Sequence, residues 1–262
     1  MDEDLPPSHD ASFWSELRRF TPARIGLGRS GVALPTHEVL AFGWAHARAR
    51  DAVHTPLDGA ALESELRAAG FDVLQVRSCA PDRATYLRRP DLGRQLEPQH
   101  HAALQEAGPV DIALVAGDGL SSLAVQRHAV ALLQALRDRL TPGLSCSPVV
   151  IARQARVAIG DDIGEQLRAR IVVVLIGERP GLSSPDSLGL YLTHAPRRGR
   201  HDAERNCISN VRPEGLPLPA AAHKLAWHIG QALQRGLTGV GLKDESDAAL
   251  ASAAKVAPLP PA

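Results

Sequence analysis

Two loops carry the residues best placed to do chemistry. The apolar run Val110 to Ala116 leads into Gly117-Asp118-Gly119-Leu120-Ser121-Ser122, and Ile171 to Ile176 leads into Gly177-Glu178-Arg179-Pro180-Gly181-Leu182-Ser183-Ser184-Pro185-Asp186-Ser187. If both runs are strands of a parallel sheet, both loops fall at its carboxyl edge. Ligands bind there because that edge gathers loops and helix amino termini with free N–H groups. Gly117 and Gly119 permit close backbone approach, while Asp118, Ser121 and Ser122 offer hydrogen bonds to a ligand or a cap for the next helix. A long loop rich in stiff and small residues at such an edge is more often functional than incidental. Glu178 is the charge nearest the strand end, and its alternative reading is an internal salt bridge to Arg179 or another arginine.

Other strings offer less. Gly26-Leu27-Gly28-Arg29-Ser30-Gly31 matches the dinucleotide fingerprint G-x-G-x-x-G, whose mechanism requires a buried strand before the first glycine and a helix starting at the third. Upstream, Arg18 to Arg24 is polar and broken by Pro22, and downstream Pro35 delays the helix. The string therefore reads as a glycine-rich turn in an arm, and a nicotinamide-nucleotide oxidoreductase remains the second reading of the chain. The chain has 11 histidines but no H-E-x-x-H, and His223 and His228 do not share a helical face. Cys79, Cys146 and Cys207 are odd in number and widely separated, which gives neither a disulfide framework nor a Cys-x-x-Cys clamp. There is no nucleophile elbow and no Walker loop. No catalytic set and no metal-ligand set emerges.

The elements that position these loops follow from periodicity. Phe71 to Val76, Val110 to Ala116, Pro148 to Ile151 and Ile171 to Ile176 are short β-branched runs separated by helical stretches. Val157 to Ile159 extends the third or forms a separate short strand. Ala129, Leu132, Leu133, Leu136 and Leu140 make one stripe of an amphipathic helix, and Ala221, Ala222, Leu225, Ala226, Ile229, Ala232 and Leu233 make another. Strands apolar on both faces that alternate with helices indicate a parallel sheet covered on both sides. The fold class is α/β, a Rossmann-like parallel-sheet domain over residues 71–242 with a helical N-terminal segment over residues 11–70. In that segment Val39, Leu40, Gly43, Trp44 and Ala47 keep helical spacing, with Thr36 as the expected N-cap. Trp14, Phe20, Phe42 and Trp44 suggest that it packs against a neighbour and serves in assembly. Residues 1–10 and 243–262, rich in Pro, Ala and Asp, read as disordered tails.

Composition bounds the partners. The 262 residues are 44% apolar and 22% charged, with 29 Lys+Arg against 29 Asp+Glu, enough for one domain with a sizeable core plus an appended segment. Formal neutrality argues against a nucleic-acid partner. The longest apolar run, Ile171 to Ile176, is far short of the about 20 residues that cross a bilayer, so no membrane is expected. The acidic N-terminus lacks a secretory signal, and a reducing cytoplasm is the expected location.

Several strings together resemble one family. Arg89-Pro90-Asp91-Leu92-Gly93-Arg94, Asp118-Gly119-Leu120-Ser121, Arg156-Val157 leading to Asp162-Ile163-Gly164-Glu165, Gly177 to Leu182, and Arg205-Asn206-Cys207-Ile208-Ser209-Asn210 are similar, in order and spacing, to the small subunit of ethanolamine ammonia-lyase. The last two are highly specific, and the resemblance covers about residues 20 to 242. It implies an adenosylcobalamin enzyme of two subunit types in a higher-order hetero-oligomer, with a (β/α)8-barrel large subunit that holds ethanolamine. It further implies that the Rossmann-like small subunit covers the cofactor from the other side while radical chemistry gives acetaldehyde and ammonia. The family's cobalamin positions fall on Val157, Glu178 and Cys207; Asp118, Gly119, Ser121 and Ser183 are lesser candidates. A catalytic residue is not expected on this chain. The string D-x-H-x-x-G is absent, so the cofactor's own dimethylbenzimidazole is expected to stay on cobalt. The resemblance leaves packaging in a bacterial microcompartment open.

Overall fold

The β-branched runs become the centre of one six-stranded sheet in the computed structural model, which describes residues 11–248. Its strands are β1 (Val73–Arg77), β2 (Ile112–Gly117), β3 (Cys146–Arg153), β4 (Ile171–Gly177), β5 (Leu188–His194) and β6 (Arg205–Val211), in the spatial order β1-β3-β2-β4-β5-β6. The first four are mutually parallel, and β5 and β6 add antiparallel. The four runs read from the sequence form the expected parallel sheet, and two antiparallel strands extend it. Glu178 to Ser187 is too short for the crossover of roughly a dozen or more residues that a parallel strand requires, so β5 turns back on β4. β6 reads Arg-Asn-Cys-Ile-Ser-Asn-Val and buries only Arg205, Ile208 and Val211, as an edge strand with polar residues between them does.

The helices are α1 (Ala11–Leu17), α2 (Thr36–His54), α3 (Gly59–Ala68), α4 (Arg83–Arg88), α5 (His101–Ala107), α6 (Ser122–Arg137), α7 (Ile159–Gln166) and α8 (Leu218–Arg235). Two expectations change. Pro35, not Thr36, occupies the N-cap of α2, with the extended ψ of 140° that proline favours there. Val157 to Ile159 is not a strand: Ile159 opens α7, whose first turn carries Asp161 and Asp162 at the positive end of the helix dipole.

Alternation along the strands builds two cores. Ile171, Val173 and Leu175 of β4 face α3, α6 and α8 with Leu62, Leu132 and Ile229, while Val172, Val174 and Ile176 face α5 and α7 with Leu104 and Ile163. Every residue of β2 and β4 is buried, so each large aliphatic there contributes about 1.5–3 kcal/mol of transfer free energy. α2 differs: Ala52 is its one buried residue, and Val39, Leu40, Phe42 and Trp44 are exposed. The stretch read as the C-terminal tail begins in contact with the body. Lys224 Nζ on α8 donates to Asp244 at 3.2 Å and Asp247 at 2.8 Å, and Ser246 is buried. Residues 1–10 and 249–262 lie outside the described residues. No described helix is long and apolar enough to cross a membrane.

One buried ion pair ties the antiparallel edge to the helical layer. Arg205, the first residue of β6, reaches across to Asp161 on α7 with bidentate contacts of 2.5 and 2.6 Å, and both side chains are 3% exposed. Burial alone would lower the Arg205 pKa, but the hydrogen bonds with Asp161 raise it above its ordinary value, and the guanidinium stays charged. Thr193 Oγ1, the Arg200 carbonyl and Asp202 Oδ1 accept its remaining N–H groups. Arg205→Met should therefore destabilise the chain by about 3–5 kcal/mol in urea unfolding, because it strands a buried carboxylate. The double variant Arg205→Met, Asp161→Leu should recover most of that loss; equal destabilisation in both would show that the pair is not the source.

Candidate functional site

The carboxyl ends of β2 and β4 are held together by backbone contact. Gly119 adopts φ +59°, and a Cβ there would stand 2.2 Å from the Gly177 carbonyl oxygen. A Cβ on Gly177 would stand 1.9 Å from the Ser121 carbonyl oxygen. Only glycine lets the two loops meet this closely. Beside that contact lies a cleft of about 410 Å³ lined by Tyr86, Gly119, Leu120, Arg156, Val157, Ile176, Gly177, Glu178, Arg179 and Tyr191.

Glu178 is fixed by the two antiparallel strands. Its backbone N–H donates to the Ser187 carbonyl at 2.9 Å, and its Oε2 accepts from Ser187 Oγ and from the Asn210 N–H at 3.2 Å. Among the described residues no ion pair involves Glu178, so the alternative of an internal salt bridge is not what the structure contains. Its carboxylate is instead a hydrogen-bonded acceptor with one edge on the cleft.

Cys207 reaches the same place from β6. It is the cross-strand partner of Tyr191, and it is exposed. Displacement of water by its neighbours pushes the thiol up, the nearby Tyr191 hydroxyl opposes that rise, and the Glu178 charge adds to it. A thiol raised in this way is a poor nucleophile.

The lesser candidates serve the frame around the cleft. Asp118 is buried, with Oδ2 accepting from the Gln154 N–H and Oδ1 from the Ala155 N–H, each at 2.8 Å. Ser121 Oγ donates to the Pro185 carbonyl at 2.7 Å. Ser183 offers its carbonyl to Arg212 Nη1 at 3.2 Å, and Arg212 Nε in turn donates to Asn210 Oδ1 at 3.1 Å. Val157 and Glu178 thus line the cleft with Gly119, Cys207 flanks it through Tyr191, and Asp118, Ser121 and Ser183 stand behind the loops.

The structure adds residues that no string singled out. Tyr86 and Tyr191 are the chain's 2 tyrosines, and both line this cleft. Tyr86 is buried between the guanidiniums of Arg83 and Arg156, whose centres lie 4.7 and 4.4 Å from its ring centre. Its hydroxyl donates to the Ala155 carbonyl at 3.0 Å, and burial pushes its pKa up to about 12. The rarity of tyrosine was visible in the composition, but nothing local in the sequence marks residues on α4 and β5 as neighbours.

What the cleft can do is bind. It offers apolar floor from Leu120, Val157 and Ile176, one carboxylate acceptor, two phenols and two arginines, with no paired acid and base. No group of three or more His, Cys, Asp or Glu among the described residues could hold a metal ion. A second hollow of about 390 Å³ lies over Asp161 and Arg205, but Arg198, Arg200 and Arg205 there are already paired with Asp162, Glu204 and Asp161. The dinucleotide string stands apart from both. Gly26, Gly28 and Gly31 all have positive φ, Trp14 packs against Gly26, and β1 begins only at Val73. With no strand before it among the described residues, the string lacks the strand–turn–helix that pyrophosphate binding needs.

Comparison with known proteins addresses the chain as a whole. Residues 11–243 match the family model described as ethanolamine ammonia-lyase light chain (EutC). The chain is 58% identical over 242 residues to the ethanolamine ammonia-lyase small subunit of Azotobacter vinelandii, covering 90% of each sequence. It is 54% identical over 260 residues to that of Ralstonia nicotianae, covering 97% of this chain and 96% of the relative. It is also 54% identical over 253 residues to that of Pseudomonas aeruginosa, covering 94% and 92%. Agreement at this level along nearly the whole length places the chain in the ethanolamine ammonia-lyase light-chain family, the small subunits of that lyase.

Proposed function

We propose that this chain is the small subunit of an adenosylcobalamin-dependent ethanolamine ammonia-lyase, walling the cobalamin against a barrel-shaped large subunit in a higher-order hetero-oligomer. The observation that carries the reading is the convergence of Val157 and Glu178 on one cleft, with Cys207 beside it through Tyr191. Corrin is a wide, mostly apolar disc ringed by amide arms, so its wall needs apolar surface and scattered hydrogen-bonding groups rather than acid–base pairs. This cleft has that composition. When bound, adenosylcobalamin supplies the radical chemistry that converts ethanolamine to acetaldehyde and ammonia. This chain's own residues would bind and orient: Glu178 accepts from amide arms, Val157 gives apolar contact and a backbone group, and Cys207 acts as a small filler without thiolate chemistry.

The Rossmann-like description belongs to the same proposal, as does the division into an assembly segment over residues 11–70 and a cofactor-contacting body over residues 71–242. Exposed Phe13, Phe20, Val39, Leu40, Phe42 and Trp44 support an assembly role, since a soluble surface rarely leaves so much apolar area uncovered without a partner. A nicotinamide-nucleotide oxidoreductase is not favoured, because its fingerprint glycines stand outside the sheet.

Two outcomes test the reading. The purified chain with adenosylcobalamin and ethanolamine should release no ammonia, and ammonia should appear only when a large subunit is added; release by the chain alone would refute the assignment. Glu178→Gln keeps the shape and an acceptor oxygen, so cobalamin affinity of the two-subunit complex should fall by about 1–2 kcal/mol, as for one charge-assisted hydrogen bond made neutral. Glu178→Ala should lose more. If Glu178 serves only its bonds to Ser187 and Asn210, both variants should lower the melting temperature of the isolated chain and leave cobalamin affinity unchanged.

A further inference from the structure

Beside the cleft lies a second hollow of about 370 Å³, lined by Val53, Leu87, Leu120, Arg156 and Arg179. The two spaces share Leu120 and both arginines. Their chemistry differs, because Glu178 and the two tyrosines line the first alone, while the second sets three aliphatic side chains against two cations and has no carboxylate in its wall.

These arginines are unlike the others nearby. Arg83 is committed to the Val53, Gly119 and Leu120 carbonyls and stands 3.9 Å from Asp118, and Arg205, Arg198 and Arg200 each hold a carboxylate. Arg156 stacks on Tyr86 and gives Nη2 to the Tyr86 carbonyl at 3.2 Å, and its Nε is buried with no acceptor. Arg179 is exposed and makes no hydrogen bond or ion pair among the described residues. A buried N–H left without an acceptor is costly, and a guanidinium held flat against a ring is already oriented for one.

The amide arms of corrin are neutral and call for no such pair of cations. The anionic group of cobalamin is the phosphodiester that links the corrin to its nucleotide, whose base is a flat and largely apolar ring. A forked guanidinium matches two phosphate oxygens, and an aliphatic hollow beside it matches the base. We infer that Arg156 and Arg179 hold the phosphodiester of cobalamin's nucleotide tail while Val53, Leu87 and Leu120 receive the attached base, an inference that rests on the cobalamin reading above.

The test compares cobalamin with cobinamide, the same corrin without nucleotide and phosphodiester. Equilibrium dialysis of the two-subunit complex, followed by corrin absorbance, gives the affinity for each. The wild-type complex should bind cobalamin more tightly. Arg179→Gln, at an exposed position with no partner among the described residues, should weaken cobalamin about tenfold and leave cobinamide unchanged. Arg156→Lys, which keeps the charge without the fork, should show the same selectivity with a smaller loss. Raising the salt concentration should erode the wild-type preference for cobalamin and affect cobinamide little. Equal losses for both corrins, as expected if these arginines instead meet carboxylates on the large subunit, would overturn the inference while leaving the corrin wall standing. Unchanged cobalamin affinity in both variants would overturn it too. A wild-type complex that binds neither corrin would remove the underlying cobalamin reading and this inference with it.

Discussion

The buried carboxylate of Asp118 holds the edge on which the rest of the site stands. It leaves the end of β2 and accepts the N–H groups of Gln154 and Ala155 just past the end of β3. Burial pushes its pKa up, and those two hydrogen bonds and the Arg83 charge oppose the rise. Gln154 sits at φ +54°, a left-handed conformation that costs a non-glycine residue on the order of 1–3 kcal/mol, and the bond to Asp118 offsets that strain. From there the chain of dependence runs outward. The Ala155 carbonyl receives the Tyr86 hydroxyl, the Tyr86 ring supports Arg156, and Val157 follows at the cleft wall.

A second clamp works from the other side. Glu178 at the end of β4 bonds the start of β5 through Ser187 and the end of β6 through Asn210. The same carboxylate therefore serves the fold and lines the cleft. Such sharing explains why the string Arg205 to Asn210 is dense with specific residues. Arg205 anchors β6 to α7, Asn206 binds the backbone at Gly239 and Leu242, Cys207 meets Tyr191, and Asn210 holds Glu178.

The sequence was most readable where the physics is local. Ile171 to Ile176 and Val110 to Ala116 are apolar on both faces, and they are the two central strands. The amphipathic stripes of α6 and α8 follow from the same rule. β5 and β6 escaped because their direction depends on the length of the loop before them and their faces are only partly apolar. The placement of Glu178 beside Val157 and Cys207 came through resemblance, since no periodicity shows that β4, β6 and the loop before α7 share an edge. Tyr86, Tyr191, Arg156 and Arg179 form a site only in three dimensions. Their rings and guanidiniums arrive from α4, β5 and two separate loops, and long-range convergence of that kind leaves no mark on neighbouring residues.

On the proposed function, much of the chain acts as a wall, with the reacting groups on the other subunit. The most direct test of that claim is the structure of the two-subunit complex with cobalamin bound. The account predicts the corrin seated over Val157 and Glu178, with Cys207 and Tyr191 at its rim, and its opposite face turned toward the large subunit. A corrin held by the large subunit alone, with the carboxyl edge of this sheet turned away from it, would contradict the account.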